Sequence, residues 1–169
     1  ALPSAEYAGP VEAIRSYLGQ VGLNAQTAPQ EACLAFAGPI DTDRIQLANS
    51  PWVFSHRELQ QTLGFKRLKL INDFTAQALS VPHLKPDALI EIKPGEPRTH
   101  APRLAIGPGT GLGIASLVPT PHAWLALASE GGHATFAPTD EREQNLLRHF
   151  HNRYGRVSVE RLLCGQGLL

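Results

Sequence analysis

The 169 residues, 43% hydrophobic and 18% charged, are enough to bury a real core and too apolar for a disordered chain. Lys plus Arg and Asp plus Glu each total 15, so the formal charge is zero and no global field draws in nucleic acid or an anionic membrane. No apolar run reaches about 18 residues and no charged-then-apolar leader opens the chain, which argues against a membrane span or signal peptide.

Pro10, tolerated at a first helical position, precedes Val11, Ile14, Leu18 and Val21 at helical spacing, and Gly22 can close that helix. Residues 31–37 predict a short apolar strand ending at Gly38 and Pro39, with a second strand around 45–48. Asp41 and Asp43 flank Thr42 beside Arg44 as turn acids and receive no role. Ser55 with Glu58 makes a capping box, Leu59 and Leu63 share a helix face, and Gly64 supplies a left-handed stop. A strand over 67–71 then runs into Asn72 and Asp73 and a helix carrying Phe74, Ala76, Ala78 and Leu79.

Pro82 and Pro86 disfavour helix and sheet alike, so the lobe division is expected there: 1–83 as one partial lobe and 84–169 as the other. Beyond it, 104–106 and 114–118 read as strands joined by a tight glycine turn, with a further strand over 124–128. Asp140 with Glu143 caps a helix bearing Leu146, Leu147 and Phe150, and Ser158 starts a last helix through Leu162 and Leu163. Strands and helices intermixed, some strands hairpin-linked, indicate α/β with mixed sheets.

Cys33 and Cys164 fit neither a metal knuckle nor a redox pair, and reduced cytoplasmic thiols are the simpler expectation. With no methionine and Ala1 first, the chain is expected to be a fragment or processed form. Arg148, His149, His151, Arg153 and Arg156, interleaved with Phe150 and Tyr154, superficially resemble a nucleic-acid patch, but cations are expected near a helix C-terminus. His149 and His151, two apart on a helix, point away from each other and make a poor chelate.

Three segments carry candidate chemistry. Gly107, Gly109, Gly111 and Gly113 let backbone N–H groups approach an anion around the Thr110 hydroxyl. The spacing is not a dinucleotide fingerprint, because the third glycine position holds Leu112 or Ile114, and it lacks the Gly-Lys-Ser/Thr ending of common phosphate loops. A plain hairpin turn explains it equally well. Asp73, at the end of an apolar strand, sits where open α/β folds form a ligand crevice and where a carboxylate could act as a base; capping the next helix is the competing role, and both can hold together. Glu130 and His133 lie three apart around two glycines that would let a turn aim both inward, a pairing suited to sugar hydroxyls that donate and accept at once. A solvated surface turn is the alternative, and no third ligand has the spacing for a metal. Glu160 reads from its position as an acid favouring a helix N-terminus.

Taken together and in order, Ala-Gly-Pro at 37–39, Ala-Asn-Ser-Pro-Trp at 48–52, Leu-Ile-Asn-Asp-Phe-Thr-Ala at 70–76, Gly-Pro-Gly-Thr-Gly-Leu-Gly at 107–113, Ser-Glu-Gly-Gly-His at 129–133 and Val-Glu-Arg-Leu-Leu-Cys-Gly-Gln-Gly-Leu at 159–168 resemble the bacterial-type glucokinases over nearly the whole chain. The resemblance implies an actin-like ATPase (ribonuclease H-like) fold of two α/β lobes, incomplete here, and transfer of a phosphoryl group from ATP with Mg2+ to the 6-hydroxyl of glucose in the cytoplasm. It implies Asp73 as catalytic base, Asn72, Asp73, Glu130, His133 and Glu160 as glucose ligands, and Gly109, Thr110 and Gly111 as a second phosphate-binding turn. Asn49 falls near the sugar cleft without an assigned contact. It also implies two missing elements, an N-terminal Asp-x-Gly-Gly-Thr phosphate turn and a C-terminal adenosine region. A homodimer is the base-rate expectation. The rivals are a non-catalytic sugar-binding regulator of the same fold and a glycoside hydrolase, which would need the Asp73 and Glu130 carboxyls about 5–10 Å apart.

Overall fold

The computed structural model describes residues 3–24, 27–47 and 50–169. The chain forms two compact units, Ala1–Ala76 and Gln77–Leu169.

In the first unit, α1 spans Pro10–Gln20, preceded by Gly9, which offers no side-chain cap. Pro10 suits that start because the first helical N–H would have no intrahelical partner anyway. The strand β1, Glu31–Phe36, pairs in parallel with β4, Arg67–Asn72, in register from Glu31 opposite Arg67 to Phe36 opposite Asn72. An exposed bidentate ion pair from Arg67 Nε and Nη2 to the two Glu31 oxygens, at 2.8 and 2.6 Å, marks that register at its first rung.

Between them, β2 (Arg44–Gln46) and β3 (Val53–Ser55) form an antiparallel pair that runs into α2, His56–Leu63. The strand β3 is absent from the sequence reading because three residues are too few to show a period of two. Only one arm of the expected capping box forms: the Glu58 N–H donates to the Ser55 hydroxyl at 3.1 Å, with no return bond from the Glu58 carboxylate among the described residues. Gly64 ends α2 at φ 74°, ψ 21°, the left-handed conformation that a side chain would strain. Ile45, Leu59, Phe65, Leu68 and Leu70 form the core here, joined by Val11 and Ile14 of α1 and by Leu34 and Phe36 of β1. The parallel pair therefore carries a helix-covered apolar side, and its C-terminal end holds Asn72. α3, Asp73–Ser80, starts at the next residue.

In the second unit, single 3-10 turns occupy Val81–His83 and Pro86–Ala88, each with proline early in the turn, and no helix or strand interrupts 89–102. A three-stranded antiparallel meander follows: β5 (Arg103–Pro108), β6 (Leu112–Pro119) and β7 (Trp124–Ser129). Pairing of Pro108 with Leu112 leaves Gly109, Thr110 and Gly111 as the connecting turn. One face of this sheet buries Ala115 and Leu117 completely, while the opposite face leaves Leu104, Ile106, Leu125 and Leu127 exposed. A 3-10 turn at Gly131–His133 packs on β6.

The Asp140 carboxylate accepts the Glu143 N–H at 2.7 Å to start α4, Glu141–Tyr154, and the Glu143 carboxylate reaches back to the Thr139 N–H and hydroxyl. The apolar face expected on α4 is only half-buried at Leu147 and Phe150, and Leu146 is exposed. α5 spans Val159–Leu162 behind the buried Ser158. Among the described residues no helix is long and apolar enough to cross a membrane.

Candidate active site

In the first unit the candidate groups sit where β4 becomes α3. Asn72 Oδ1 accepts the N–H groups of Phe74 at 2.9 Å and Thr75 at 3.2 Å, so Asn72 is the cap of α3. That arrangement fixes the amide: its oxygen faces the helix, and its NH2 group, which takes no partner among the described residues, is left as a donor. Asp73 Oδ1 accepts the Phe74 N–H at 2.9 Å, and the half-buried carboxylate takes no other partner among the described residues. The cap role weighed for Asp73 thus belongs mainly to its neighbour. Ala37, Gly38 and Pro39 follow the other strand of the pair, with Gly38 at φ 120°. Asn49 lies outside the described residues; in the same motif Trp52 is buried and its Nε1–H donates to the Tyr7 carbonyl at 3.0 Å, a structural tie.

In the second unit three separated segments meet on Leu112. The Leu112 N–H donates to Glu160 Oε2 at 2.9 Å. Its carbonyl oxygen lies against Gly132, where an added Cβ would stand 2.3 Å away. One buried residue at the start of β6 therefore joins the glycine turn, the Glu-Gly-Gly-His turn and α5. The turn is held at its other end as well, where the Gly165 N–H donates to the Gly109 carbonyl at 2.8 Å. Within the turn the Gly109 N–H donates to the Gly111 carbonyl at 2.7 Å, and the amides of Thr110 and Gly111 take no partner among the described residues. Gly111 and Gly132 do not adopt positive φ; a side chain at 132 would meet the fixed Leu112 backbone, and one at 111 would displace the end of the Glu160 side chain.

Glu130 and His133 are brought together at either end of the 3-10 turn, with His133 Nε2 and Glu130 Oε2 3.6 Å apart. Their side chains are 82% and 56% exposed, Glu130 the more so, which makes the ion pair weak by itself and leaves both groups open to a ligand. Arg156 holds the turn from behind by donating to the His133 carbonyl and, at 3.4 Å, to the Thr135 hydroxyl. Glu160 lies in the first turn of α5, but its carboxylate serves the Leu112 amide of another segment instead of its own helix.

The sequence reading missed Leu112 and Arg156. Leu112 has no polar side chain and acts through its backbone, so no residue-type pattern marks it. Arg156 was visible only as one member of a basic cluster. In that cluster Phe150 stacks on Tyr154 with centroids 5.9 Å apart, and the guanidinium groups of Arg153 and Arg161 cover the Tyr154 ring, packing that accounts for the interleaved aromatics. Both cysteines are free, and no group of three or more His, Cys, Asp or Glu among the described residues could hold a metal ion.

The glucokinase family model matches residues 1–169. The glucokinase of Chromohalobacter salexigens is 53% identical over 99% of this chain and 52% of its own length. That of Hahella chejuensis is 48% identical over 99% of this chain and 51% of its own length. A crystal structure of glucokinase from an Antarctic psychrotroph superposes with a TM-score of 0.84 at 36% identity, covering 99% of this chain and 51% of that one. The chain thus spans about half the length of the curated relatives it matches, and the α/β architecture is part of the actin-like ATPase fold. A match over every residue, close relatives of a single kind and a shared fold agree: this chain belongs to the glucokinase family.

Proposed function

We propose that the full-length protein transfers the γ-phosphoryl group of MgATP to the 6-hydroxyl of glucose. The observation that carries this reading is the convergence on Leu112, which ties a turn whose Thr110 and Gly111 amides take no partner among the described residues to a carboxylate–imidazole pair and to a third carboxylate. The first is suited to phosphate oxygens, and the others to the hydroxyls of a polyol. Family membership and glucokinase relatives at 53% and 48% identity support the same substrate pair.

Asp73 is the proposed base. In the transfer, glucose O6 forms a bond to the γ-phosphorus as the bridging oxygen leaves on ADP, and the O6 proton passes to the Asp73 carboxylate. A carboxylate is too weak to ionise a sugar hydroxyl beforehand, so it orients O6–H and takes the proton late in a loose transition state. Asn72 donates its amide hydrogens to a sugar oxygen, while Glu130 and Glu160 accept from other hydroxyls and His133 exchanges a hydrogen bond with one. Gly109, Thr110 and Gly111 cradle nucleotide phosphate. Magnesium enters with the nucleotide, since it prefers phosphate oxygens, water and one or two carboxylates to an all-protein cage.

We place the protein in the cytoplasm, where its two free thiols would stay reduced, and as a homodimer, the commonest assembly of soluble oligomers. A coupled assay on the full-length protein with glucose, mannose and fructose tests the reaction. ADP release that depends on glucose is expected; no ADP release with any of the three overturns the proposal.

A further inference from the structure

Glu160 is held in a way that a simple sugar ligand does not need. Its Oε2 accepts the Leu112 N–H at 2.9 Å, and its Oε1 takes no hydrogen bond among the described residues. The carboxylate occupies the space above Gly111: a Cβ there would stand 2.4 Å from Oε2 and 3.1 Å from Cδ. The same C-terminal segment reaches the far end of the turn through the Gly165 N–H on the Gly109 carbonyl, where a Cβ on Gly165 would already be 3.2 Å from that oxygen. The segment carrying Glu160 therefore grips the glycine turn at both ends, and a side chain on residue 111 would push the carboxylate aside.

We propose that Glu160 is a positioning residue as well as a sugar ligand: Oε2 holds the phosphate turn through Leu112 while Oε1 takes a glucose hydroxyl, so sugar binding and the geometry of the turn are coupled through one carboxylate. The proposal rests on the sugar-kinase reading above. A carboxylate has two acceptor oxygens and can accept the Leu112 N–H and a sugar hydroxyl proton on separate atoms; an amide that keeps the Leu112 N–H on its one oxygen can offer the sugar only its NH2 donor. Linkage makes the coupling reciprocal, so a change in the turn that displaces Glu160 is felt at the sugar.

The test is a double-mutant cycle on glucose affinity, measured by calorimetry on the full-length protein with Gly111→Ala, Glu160→Ala and the double variant. Gly111→Ala, in a residue assigned to phosphate, is expected to weaken glucose binding about tenfold or more, the effect of losing a hydrogen bond to a charged group. In the double variant no carboxylate remains to be displaced, so its loss should match that of Glu160→Ala alone to within about twofold. Unchanged glucose affinity in Gly111→Ala, or losses that simply multiply, overturns the coupling. Glu160→Gln, nearly the same size and the least disruptive to folding, keeps an oxygen for the Leu112 N–H and should raise KM for glucose more than KM for ATP, whereas Glu160→Ala, which removes both oxygens, should raise both; a rise for glucose alone in Glu160→Ala overturns the proposal. A wild-type protein that consumes no ATP in the presence of glucose would sink the kinase reading itself, whereas an active one with normal glucose binding in Gly111→Ala sinks only the coupling.

Discussion

A methyl group on residue 132 would stand 2.3 Å from the Leu112 carbonyl oxygen, a backbone atom that cannot swing aside. Gly132→Ala must therefore lift the Glu130–His133 turn off β6, and overpacking of this kind costs about 1–3 kcal/mol. A lowered denaturation midpoint together with weaker glucose binding is expected; a wild-type midpoint would show that the turn is free to move. Asn72 separates two jobs within one side chain. Asn72→Asp keeps an oxygen for the Phe74 and Thr75 amides and removes the NH2 donor, so calorimetry should find glucose affinity reduced at an unchanged Tm. Equal glucose affinity would remove Asn72 from the sugar site. Asp73→Asn in the full-length protein should cut turnover about 100-fold or more with the circular dichroism spectrum unaltered, the usual range for a lost general base.

At the scale of elements, Asp43 clamps the start of α2. Its carboxylate accepts the Ser55 hydroxyl at 2.8 Å and the Arg57 N–H at 3.0 Å, and its carbonyl accepts the His56 N–H at 2.8 Å. The Ser55 hydroxyl first, then the Arg57 amide, hold this carboxyl below its ordinary value of 3.8. Since folding lowers the pKa, the contribution is complete above the unfolded value and is lost as the pH falls through the folded one. The urea midpoints of wild type and Asp43→Asn should thus differ at pH 7, with the gap beginning to close only below about pH 3.8, the ordinary carboxyl value, and vanishing once the pH has fallen past the lowered folded value. A gap that persists undiminished in acid would contradict the clamp.

The sequence left Asp43 as a turn acid because its partners lie 12 and 14 residues away, beyond any local pattern. Signals confined to one turn of chain were legible: Pro10 at a helix start, Ser55, Asp140 and Ser158 as caps, Gly64 as a left-handed stop, and the hairpin through 109–111. The short strand β3 and the half-buried face of α4 were not, since each depends on what the rest of the fold places beside it.

Across the whole molecule the same division holds for the site. Residue types marked Asp73, Glu130 and His133 as groups able to do chemistry, but spacing alone could not separate a base from a cap or a sugar ligand from a surface turn. The ordered resemblance to glucokinases supplied that grouping. Leu112 escaped both, because it works through an amide and a carbonyl that every residue possesses. The proposed site has segments scattered along the chain around one hexose, with Asp73 at the hydroxyl that receives phosphate. A crystal structure of the full-length protein with glucose bound measures this directly. The Asp73 carboxylate should lie about 2.6–3.2 Å from the glucose 6-hydroxyl, with Glu130, His133 and Glu160 on the remaining hydroxyls. A sugar bound elsewhere, or an Asp73 carboxylate directed away from O6, would overturn the proposed site.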